Sequence, residues 1–184
     1  METRPVMETR HLILRPFIPE DAEPLQRYAG NKEISRMVAH LPSPYSLENA
    51  QDWIAKHEEN FANEDSFPFA ITDRESGEFM GSIELFCDKK NNSASLSYWM
   101  GLPFWNRGFC TEAAQAMIDF GFEQMGFHRI WAKHWAINTA SGRIMEKCGM
   151  RKEGVMIEAE FRDGEFRDMV YYAILRREWE EKKA

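Results

Sequence analysis

Apolar residues in the first third of the chain follow the spacing of a strand and then of two helices. His11 to Arg15 predicts a short strand, and the proline and acidic residues at 19–21 favour a helix start directly after it. That helix is expected to end at Ala29, before Gly30. Ser46 is placed to cap a second helix, whose apolar stripe faces the core or a pocket. The stripe consists of Leu47, Ala50, Trp53, Ile54, His57 and Phe61.

The spacing then changes to every second residue. Phe67, Phe69 and Ile71 alternate with other residues, Ser76-Gly77 marks a turn, and the alternation resumes from Phe79 to Cys87. Ala94 to Met100 continues the pattern after a polar loop. We therefore expect three consecutive strands that pair as an antiparallel meander.

The second half of the chain alternates helices with strands. Gly149 can end a helix in the left-handed conformation, and Asp163-Gly164 is a favoured hairpin turn. A polar tail rich in Glu and Lys follows the last strand. The expected elements are a helix from Thr111 to Met125, a strand from Arg129 to Ala136, a helix from Thr139 to Lys147, and strands from Lys152 to Phe161 and from Phe166 to Leu175.

The order of these elements is that of a mixed α/β domain without a linker to divide it. A chain of 184 residues is long enough to bury one core, so residues 1–184 are expected to form a single domain. The tetrapeptide Met-Glu-Thr-Arg occurs at Met1 and again at Met7, and only the second copy leads into an apolar run. Residues 1 to about 8 are therefore expected to be a flexible tail.

Composition excludes several classes of protein. The formal net charge of −7 argues against binding to a nucleic acid backbone, which requires clustered Lys and Arg. The start of the chain lacks an apolar signal region, and no stretch approaches the length of a membrane span. Cys87, Cys110 and Cys148 are widely spaced, which fits neither a disulfide framework nor a metal site. We expect a cytoplasmic protein with reduced thiols and no metal.

The segment from Tyr98 to Glu112 combines a strand end, a loop with Asn and Gly, and a helix start. Unpaired N–H groups at such a helix start can converge on a phosphate, and the helix dipole favours negative charge there. Gly108 allows close approach of a ligand, Arg107 adds charge, and Thr111 could cap the helix or bind a phosphate oxygen. The spacing matches neither of the standard nucleotide motifs, GxxxxGK[ST] and GxGxxG.

The run PFWNRGFCTEA within this segment resembles the pyrophosphate-binding loop of the GNAT acetyltransferases. Their pattern is Gln or Arg, two residues, Gly, one residue, and Gly or Ala, and the RimJ/RimL branch has Trp-Gly-Lys-Gly-Tyr-Ala-Thr-Glu where this chain has Trp105 to Glu112. Asn106 stands in place of a Gly, and Cys110 in place of a smaller Ala. The resemblance extends to SYWM, GFHRIWA, NTASGRIMEKCGMRKEG and DMVYYAILRREW, which together span nearly the whole chain.

The resemblance implies a fold and a set of ligand contacts. The fold is a central, mostly antiparallel sheet, splayed into a V and flanked by helices, with acetyl-CoA in the split. Backbone groups of Trp99, Met100 and Gly101 would bind the pantetheine. The pyrophosphate would be held by Arg107, Gly108, Phe109, Cys110 and Thr111, while Asn138, Ser141 and Arg143 would lie around the pantetheine and nucleotide. Asn138 is equally suited to cap the helix that starts at Thr139.

The same resemblance implies transfer of acetyl to a primary amine by direct attack. The backbone N–H near Met100 would polarise the thioester carbonyl, and the Ser141 hydroxyl would be the donor to the departing thiolate. Many relatives have Glu where this chain has Ser95, so the general base is open. Glu84 is one candidate, which could act directly or through water, with the alternative that it is an ordinary solvent-facing strand residue. His40 and His134 are further candidates. Cys110 is expected to pack beside the ligand rather than to react, although a helix start can activate a thiol.

The acceptor amine is expected to be a protein or peptide N-terminus, with a small-molecule amine as the alternative. The loop from Met37 to Tyr45, together with Trp53 and Phe61, is expected to shape its pocket, with core packing as the alternative use of these residues. Two other functions stay open: a CoA-binding sensor without turnover, which Ser95 suggests, and a purely structural interaction domain. The protein is expected to be a monomer or a homodimer.

Overall fold

The computed structural model describes residues 4–38, 42 and 44–183. The strands are β1 (Met7–Glu8), β2 (Leu12–Arg15), β3 (Ser66–Asp73), β4 (Phe79–Asp88), β5 (Ser93–Met100), β6 (Arg129–Trp135), β7 (Arg151–Arg162) and β8 (Glu165–Leu175). The helices are α1 (Ala22–Ala29), α2 (Lys32–Ser35), α3 (Leu47–Ala55), α4 (His57–Ala62), α5 (Phe109–Glu123), α6 (Thr139–Lys147) and α7 (Arg176–Lys183).

The eight strands form one sheet in the order β1-β2-β3-β4-β5-β6-β8-β7. Every neighbouring pair is antiparallel except β5 and β6, which run parallel. The β5–β6 pairing covers only Ser93–Ser95 against Arg129–Trp131, and the two strands separate beyond it. The sheet is therefore splayed in its middle, as the family resemblance implied.

Apolar side chains pack on both faces of this sheet. The larger cluster lies between the sheet and α5, with Phe67, Ile83, Met117 and Phe122 fully buried. A smaller cluster on the other face packs α1 and α3 against β3 and β4. The two faces of the sheet are thus covered by different helices. The gap between the separated ends of β5 and β6 is where one face communicates with the other.

His57, at the start of α4, is buried beside the smaller cluster with both ring nitrogens unpartnered. Its ring meets Phe17 and Trp53 edge to face. Burial, assisted by the charge of Arg4, lowers the pKa of His57 to about 4, so the ring is neutral at physiological pH. It serves as a packing residue in this stripe.

Three segments differ from the sequence expectation. The expected tail is already part of the sheet at β1, because Met7 pairs with Leu14 and packs against the larger cluster. The predicted continuous helix from Leu47 to Phe61 is interrupted at Lys56. The expected polar tail at the C-terminus is helix α7, because Trp179 is buried against Phe122 and donates a hydrogen bond to Asp119.

None of the described helices combines the length and apolarity needed to cross a membrane.

Candidate active site

The separated ends of β5 and β6 open into a cavity of about 570 Å³. Side chains alternate along both strands, so the lining divides into two halves on opposite faces of the sheet. The half that we call the α6 half contains Leu96, Tyr98, Met100 and His134, together with residues of the loop before α5 and of α6. The half that we call the α2 half contains Ser95, Ser97, Trp99, Trp131, Lys133, Trp135, Met169, Phe86, Ile34, Met37 and Val38.

Met100 directs its backbone into the gap between the strands. The N–H of Gly101 donates to the carbonyl of Met80 at 2.8 Å, which makes those two residues a hydrogen-bonded pair of the β4–β5 ladder. Such pairs alternate in an antiparallel ladder, so Met100 points its N–H away from β4 and towards the cavity. Its carbonyl accepts a hydrogen bond from the indole of Trp105 at 2.6 Å. The N–H of Met100 therefore remains as the donor at the gap.

The loop before α5 has the geometry of an anion site at one end of the α6 half. Gly108 has a φ of +84°, and a Cβ there would meet nothing within 4 Å, so the backbone lies open. Helix α5 begins at Phe109 without a side-chain cap, which leaves its first N–H groups without intrahelical partners. Asn106 also adopts a left-handed φ of 60°. The turn thus exposes donors and the positive end of a 15-residue helix dipole.

Charge within the cavity has one sign. Of the described residues that line it, the charged ones are Lys133, Arg143 and Lys147, and none is Asp or Glu. Arg143 and Lys147 lie one turn apart on α6, in the same half as the anion site. The acidic excess of the chain is therefore outside this cavity, which suits a ligand that carries phosphate groups.

A hydroxyl pair crosses the α6 half. Tyr98 of β5 donates to the Ser141 carbonyl at 3.1 Å and lies 3.0 Å from the Ser141 hydroxyl. Burial raises the pKa of Tyr98 well above that of a free tyrosine, so the phenol keeps its proton. Asn138 caps α6, since its side chain accepts from the Ser141 N–H at 3.3 Å. This confirms the capping interpretation of Asn138, while its contact with a ligand stays a prediction.

Most of the predicted ligand residues line the cavity, and two do not. The Gly101 N–H is hydrogen-bonded within the β4–β5 ladder, and the residue faces Tyr28 and Phe104. Arg107 lies over the ring of Phe109, at 4.7 Å from its centroid. Neither belongs to the cavity lining. Those that do are Trp99, Met100, Gly108, Phe109, Cys110, Thr111, Asn138, Ser141 and Arg143.

The structure contradicts the prediction that Thr111 caps α5, and it argues against a reactive Cys110. Thr111 is the third residue of the helix, because α5 starts two residues earlier than predicted, so it cannot cap it. Burial, with the neighbouring Cys148 thiol, raises the pKa of Cys110 to about 12. A thiol with so high a pKa is almost entirely protonated at neutral pH, which opposes the reactive role and favours the packing one.

The candidate bases are dispersed. Glu84 is buried and lies outside the lining, beside Ser97, its pairing partner on β5. Burial raises the pKa of Glu84 to about 7, and a hydrogen bond from Ser66 opposes that rise. His134 lines the α6 half with one nitrogen unpartnered and the other 2.8 Å from the Trp135 carbonyl. His40 lies outside the described residues.

Comparison with known proteins decides what kind of site this is. The profile of the acetyltransferase (GNAT) domain family matches residues 11–151. The chain belongs to the GNAT acetyltransferase family. It is 29% identical over 180 residues to the uncharacterized N-acetyltransferase p20 of Bacillus licheniformis, which covers 97% of this chain and 99% of that protein.

Two further relatives lie in the branch of ribosomal-protein acetyltransferases, as the sequence resemblance indicated. The putative ribosomal N-acetyltransferase YdaF of Bacillus subtilis is 25% identical over 94% of this chain and 96% of its own length. RimL, the ribosomal L7/L12 alpha-N-protein acetyltransferase solved in complex with coenzyme A, aligns with a TM-score of 0.85 at 19% identity. That alignment covers 93% of this chain and 98% of RimL, and it shows the common fold.

This GNAT protein is therefore an N-acetyltransferase that uses acetyl-CoA. Its α6 half fits the donor substrate, because it joins an open glycine turn, a helix start and two cations to a narrow gap with a free N–H. No cluster of three or more His, Cys, Asp or Glu side chains suited to a metal ion occurs among the described residues.

Sequence reasoning missed two side chains of this GNAT site. Tyr98 was noted only as part of a strand, where an aromatic residue is normally core, and its partner Ser141 is 43 residues away. Trp105 was identified only as part of the loop pattern, although its indole satisfies the Met100 carbonyl. Both contacts depend on packing between elements that are distant along the chain or folded around a turn.

We predict that Gly81→Ala weakens both the fold and acetyl-CoA binding. An alanine Cβ would lie 2.3 Å from the Trp99 carbonyl oxygen and 2.9 Å from the Met100 Cα, so the backbone of β5 must move. The expected loss is roughly 1–3 kcal/mol in the free energy of unfolding, measured in urea. Calorimetric titration should also show a weaker affinity for acetyl-CoA.

Gly154→Ala is the matched control, since a Cβ there meets nothing within 4 Å. If Gly81→Ala kept the wild-type unfolding free energy and affinity, β5 would not be fixed by this contact.

Proposed function

We propose that this enzyme acetylates a protein or peptide N-terminal amino group by direct attack on acetyl-CoA. The observation that carries the proposal is the gap at Met100, where the anion-binding α6 half meets the α2 half on the other face of the sheet. A thioester held from one side is then accessible to an amine from the other. The names of two relatives, the ribosomal L7/L12 alpha-N-protein acetyltransferase RimL and the putative ribosomal N-acetyltransferase YdaF, support an N-terminal acceptor over a small-molecule amine.

Binding of the donor substrate is assigned to the backbone donors of the turn and to the cations of α6. The N–H groups of Phe109, Cys110 and Thr111 face the pyrophosphate at the start of α5, with Gly108 leaving room for it. Arg143 adds charge from α6. Each of these contacts neutralises phosphate without supplying a group that reacts.

The chemical step requires an oxyanion donor and a group that stabilises the leaving thiolate. The N–H of Met100 is the donor to the carbonyl oxygen as the amine adds and the C–N bond forms. The Ser141 hydroxyl then donates a hydrogen bond to the sulfur as the C–S bond breaks, while Tyr98, which donates to the Ser141 carbonyl, holds Ser141 in position. The raised pKa of Tyr98 makes it a hydrogen-bond donor that does not itself ionise.

Removal of the amine proton is assigned to Glu84, acting through Ser97 and water because its carboxyl does not line the cavity. A pKa of about 7 places this carboxyl near the value that suits a general base at neutral pH. No acyl-enzyme is involved, in line with the high pKa of the Cys110 thiol.

The proposed function predicts saturable binding of acetyl-CoA together with thiol release that depends on an amine. Calorimetric titration measures the binding, and a thiol reagent follows release against N-terminal peptides and small amines. Faster release with peptides supports the N-terminal assignment. Release only with small amines would identify a small-molecule amine as the acceptor instead. Binding without any release would favour a CoA-binding sensor.

Loss of either hydroxyl of the α6 pair is predicted to slow the chemical step. Ser141→Ala should lower kcat by about 10²-fold, because it removes the donor to the sulfur in the transition state. Tyr98→Phe should lower kcat by a smaller factor, because it removes the hydrogen bond that positions Ser141. The dissociation constant for acetyl-CoA should change little. Because the two groups share one hydrogen bond, the double variant should lose much less than the product of the single effects. Unchanged kcat in both single variants would remove the pair from the mechanism.

The pH profile is predicted to depend on Glu84. Its carboxylate is the competent form, so kcat/KM should rise as the pH increases through about 7. Glu84→Gln should lower kcat/KM at pH 8 by about 10²-fold and abolish that inflection. Ser66→Ala is the matched variant: it removes the hydrogen bond that lowers the Glu84 pKa, so the inflection should move to higher pH. An inflection near 7 that persists in Glu84→Gln would show that another group titrates.

A further inference from the structure

The α2 half of the cavity has a composition that selects among amines. Its wall is aromatic and aliphatic, with Trp131 and Trp135 from β6, Phe86 from β4, Met169 from β8, and Ile34 and Met37 from the α2 segment. The uncharged polar residues of this half are Ser95 and Ser97, which are small. Such a surface gains free energy by removing an apolar group from water and offers few hydrogen bonds to a polar one.

The charge of the α2 half disfavours a second cation on the acceptor. Lys133 is the charged side chain of this half, and the described lining contains no carboxylate to pair with a ligand cation. The Lys133 ammonium is held 2.5 Å from the carboxylate of Glu160, which is itself outside the lining. A polyamine or a lysine-rich peptide would therefore find no carboxylate in the described lining for its extra charge, since Glu160 behind the wall is already paired with Lys133 and Trp135.

Trp131 and Trp135, the two tryptophans of β6, do not form a cage for an ammonium group. The guanidinium of Arg167 already lies over the ring of Trp135, at 4.4 Å from its centroid, and the Trp135 indole N–H donates to Glu160 at 3.0 Å. The ring of Trp131 is stacked with Tyr171 at 5.9 Å. A cation brought against Trp135 would be repelled by Arg167, so these rings present apolar surface rather than a cation-π site.

We propose that the acceptor amine is borne next to a bulky apolar group and carries no second positive charge. On the proposed function, on which this inference rests, the acceptor is a peptide whose first residue has a large apolar or aromatic side chain. That side chain would lie against the Trp131 and Met37 side of the α2 half, with the amine directed at the gap beside Met100. The same chemistry is found in a free apolar amine, so the experiment must separate the two sources.

The experiment measures kcat/KM for thiol release from acetyl-CoA with four tripeptide amides, X-Gly-Gly, in which X is Phe, Leu, Ala or Lys. Phenylalaninamide and spermidine are tested beside them. Phe and Leu should exceed Ala by roughly 10–100-fold, the ratio expected for burial of a large apolar side chain. Lys and spermidine should fall below Ala. A higher rate with the Phe peptide than with phenylalaninamide identifies a peptide as the source, whereas the reverse identifies a small amine of the same class.

Substitutions in the α2 half test which of its residues select the acceptor amine. Met37→Ala, at a half-exposed position, and Trp131→Leu should each reduce the ratio of Phe to Ala while leaving acetyl-CoA affinity unchanged. Lys133→Gln should raise the rate with the Lys peptide relative to Ala. Phe161→Ala is the matched control, because this aromatic residue is exposed on β7 outside the cavity lining and should leave every ratio unchanged.

Two results would overturn the inference alone: equal rates for Phe, Ala and Lys peptides, or a preference for Lys or spermidine. Absence of thiol release with every amine, in protein that binds acetyl-CoA, would overturn the proposed function and this inference with it. The two failures are distinguished by whether any amine is acetylated.

Discussion

The structure of the site depends on the point where β5 and β6 cease to pair. Three residue pairs join the two strands, and beyond Ser95 and Trp131 the parallel ladder ends although both strands continue. The facing backbone groups of β5 then lack strand partners, and buried groups of this kind require satisfaction from elsewhere. The Met100 carbonyl obtains it from Trp105, while the Met100 N–H stays available. The ligand site is thus the part of the sheet whose hydrogen bonding is left incomplete.

Close packing on the α5 and α6 side fixes the position of β6. A Cβ on Gly142 of α6 would lie 2.8 Å from the His134 ring, and one on Gly121 of α5 would lie 2.7 Å from Ile130. Helices that approach β6 this closely fix its position, because side chains in a dense interior cannot simply move aside. The contact between Tyr98 and Ser141 then bridges from β5 to α6 across the gap. The cavity is therefore bounded by rigid elements on this side, which suits the positioning of a thioester.

Local patterns predicted the parts of this fold that depend on local physics. The bounds of α6 were predicted at both ends, since Asn138 caps its start and Gly149 follows its end with a φ of +81°. The loop around Gly108 was identified by the demands of a tight turn at a helix start. The tail predicted after Leu175 was wrong because its helix depends on Trp179 reaching Phe122 across the molecule. Likewise, the burial of Glu84 and its distance from the cavity lining arise from covering helices whose placement no strand periodicity reports.

The electrostatics of the two halves bear on how the amine loses its proton. In the proposed function, transfer of the acceptor ammonium group from water to the apolar wall of the α2 half disfavours its charged form, so we expect the amine pKa to fall on binding. An α-amino group, with an ordinary pKa of about 7.7–8.0, needs a far smaller shift to become neutral than a lysine side chain at about 10.4. A described lining that holds no carboxylate therefore supports the proposed N-terminal amine over a lysine side chain. In the proposed mechanism, the apolar environment of the amine already favours loss of its proton, so a base that acts through Ser97 has less of the deprotonation to drive.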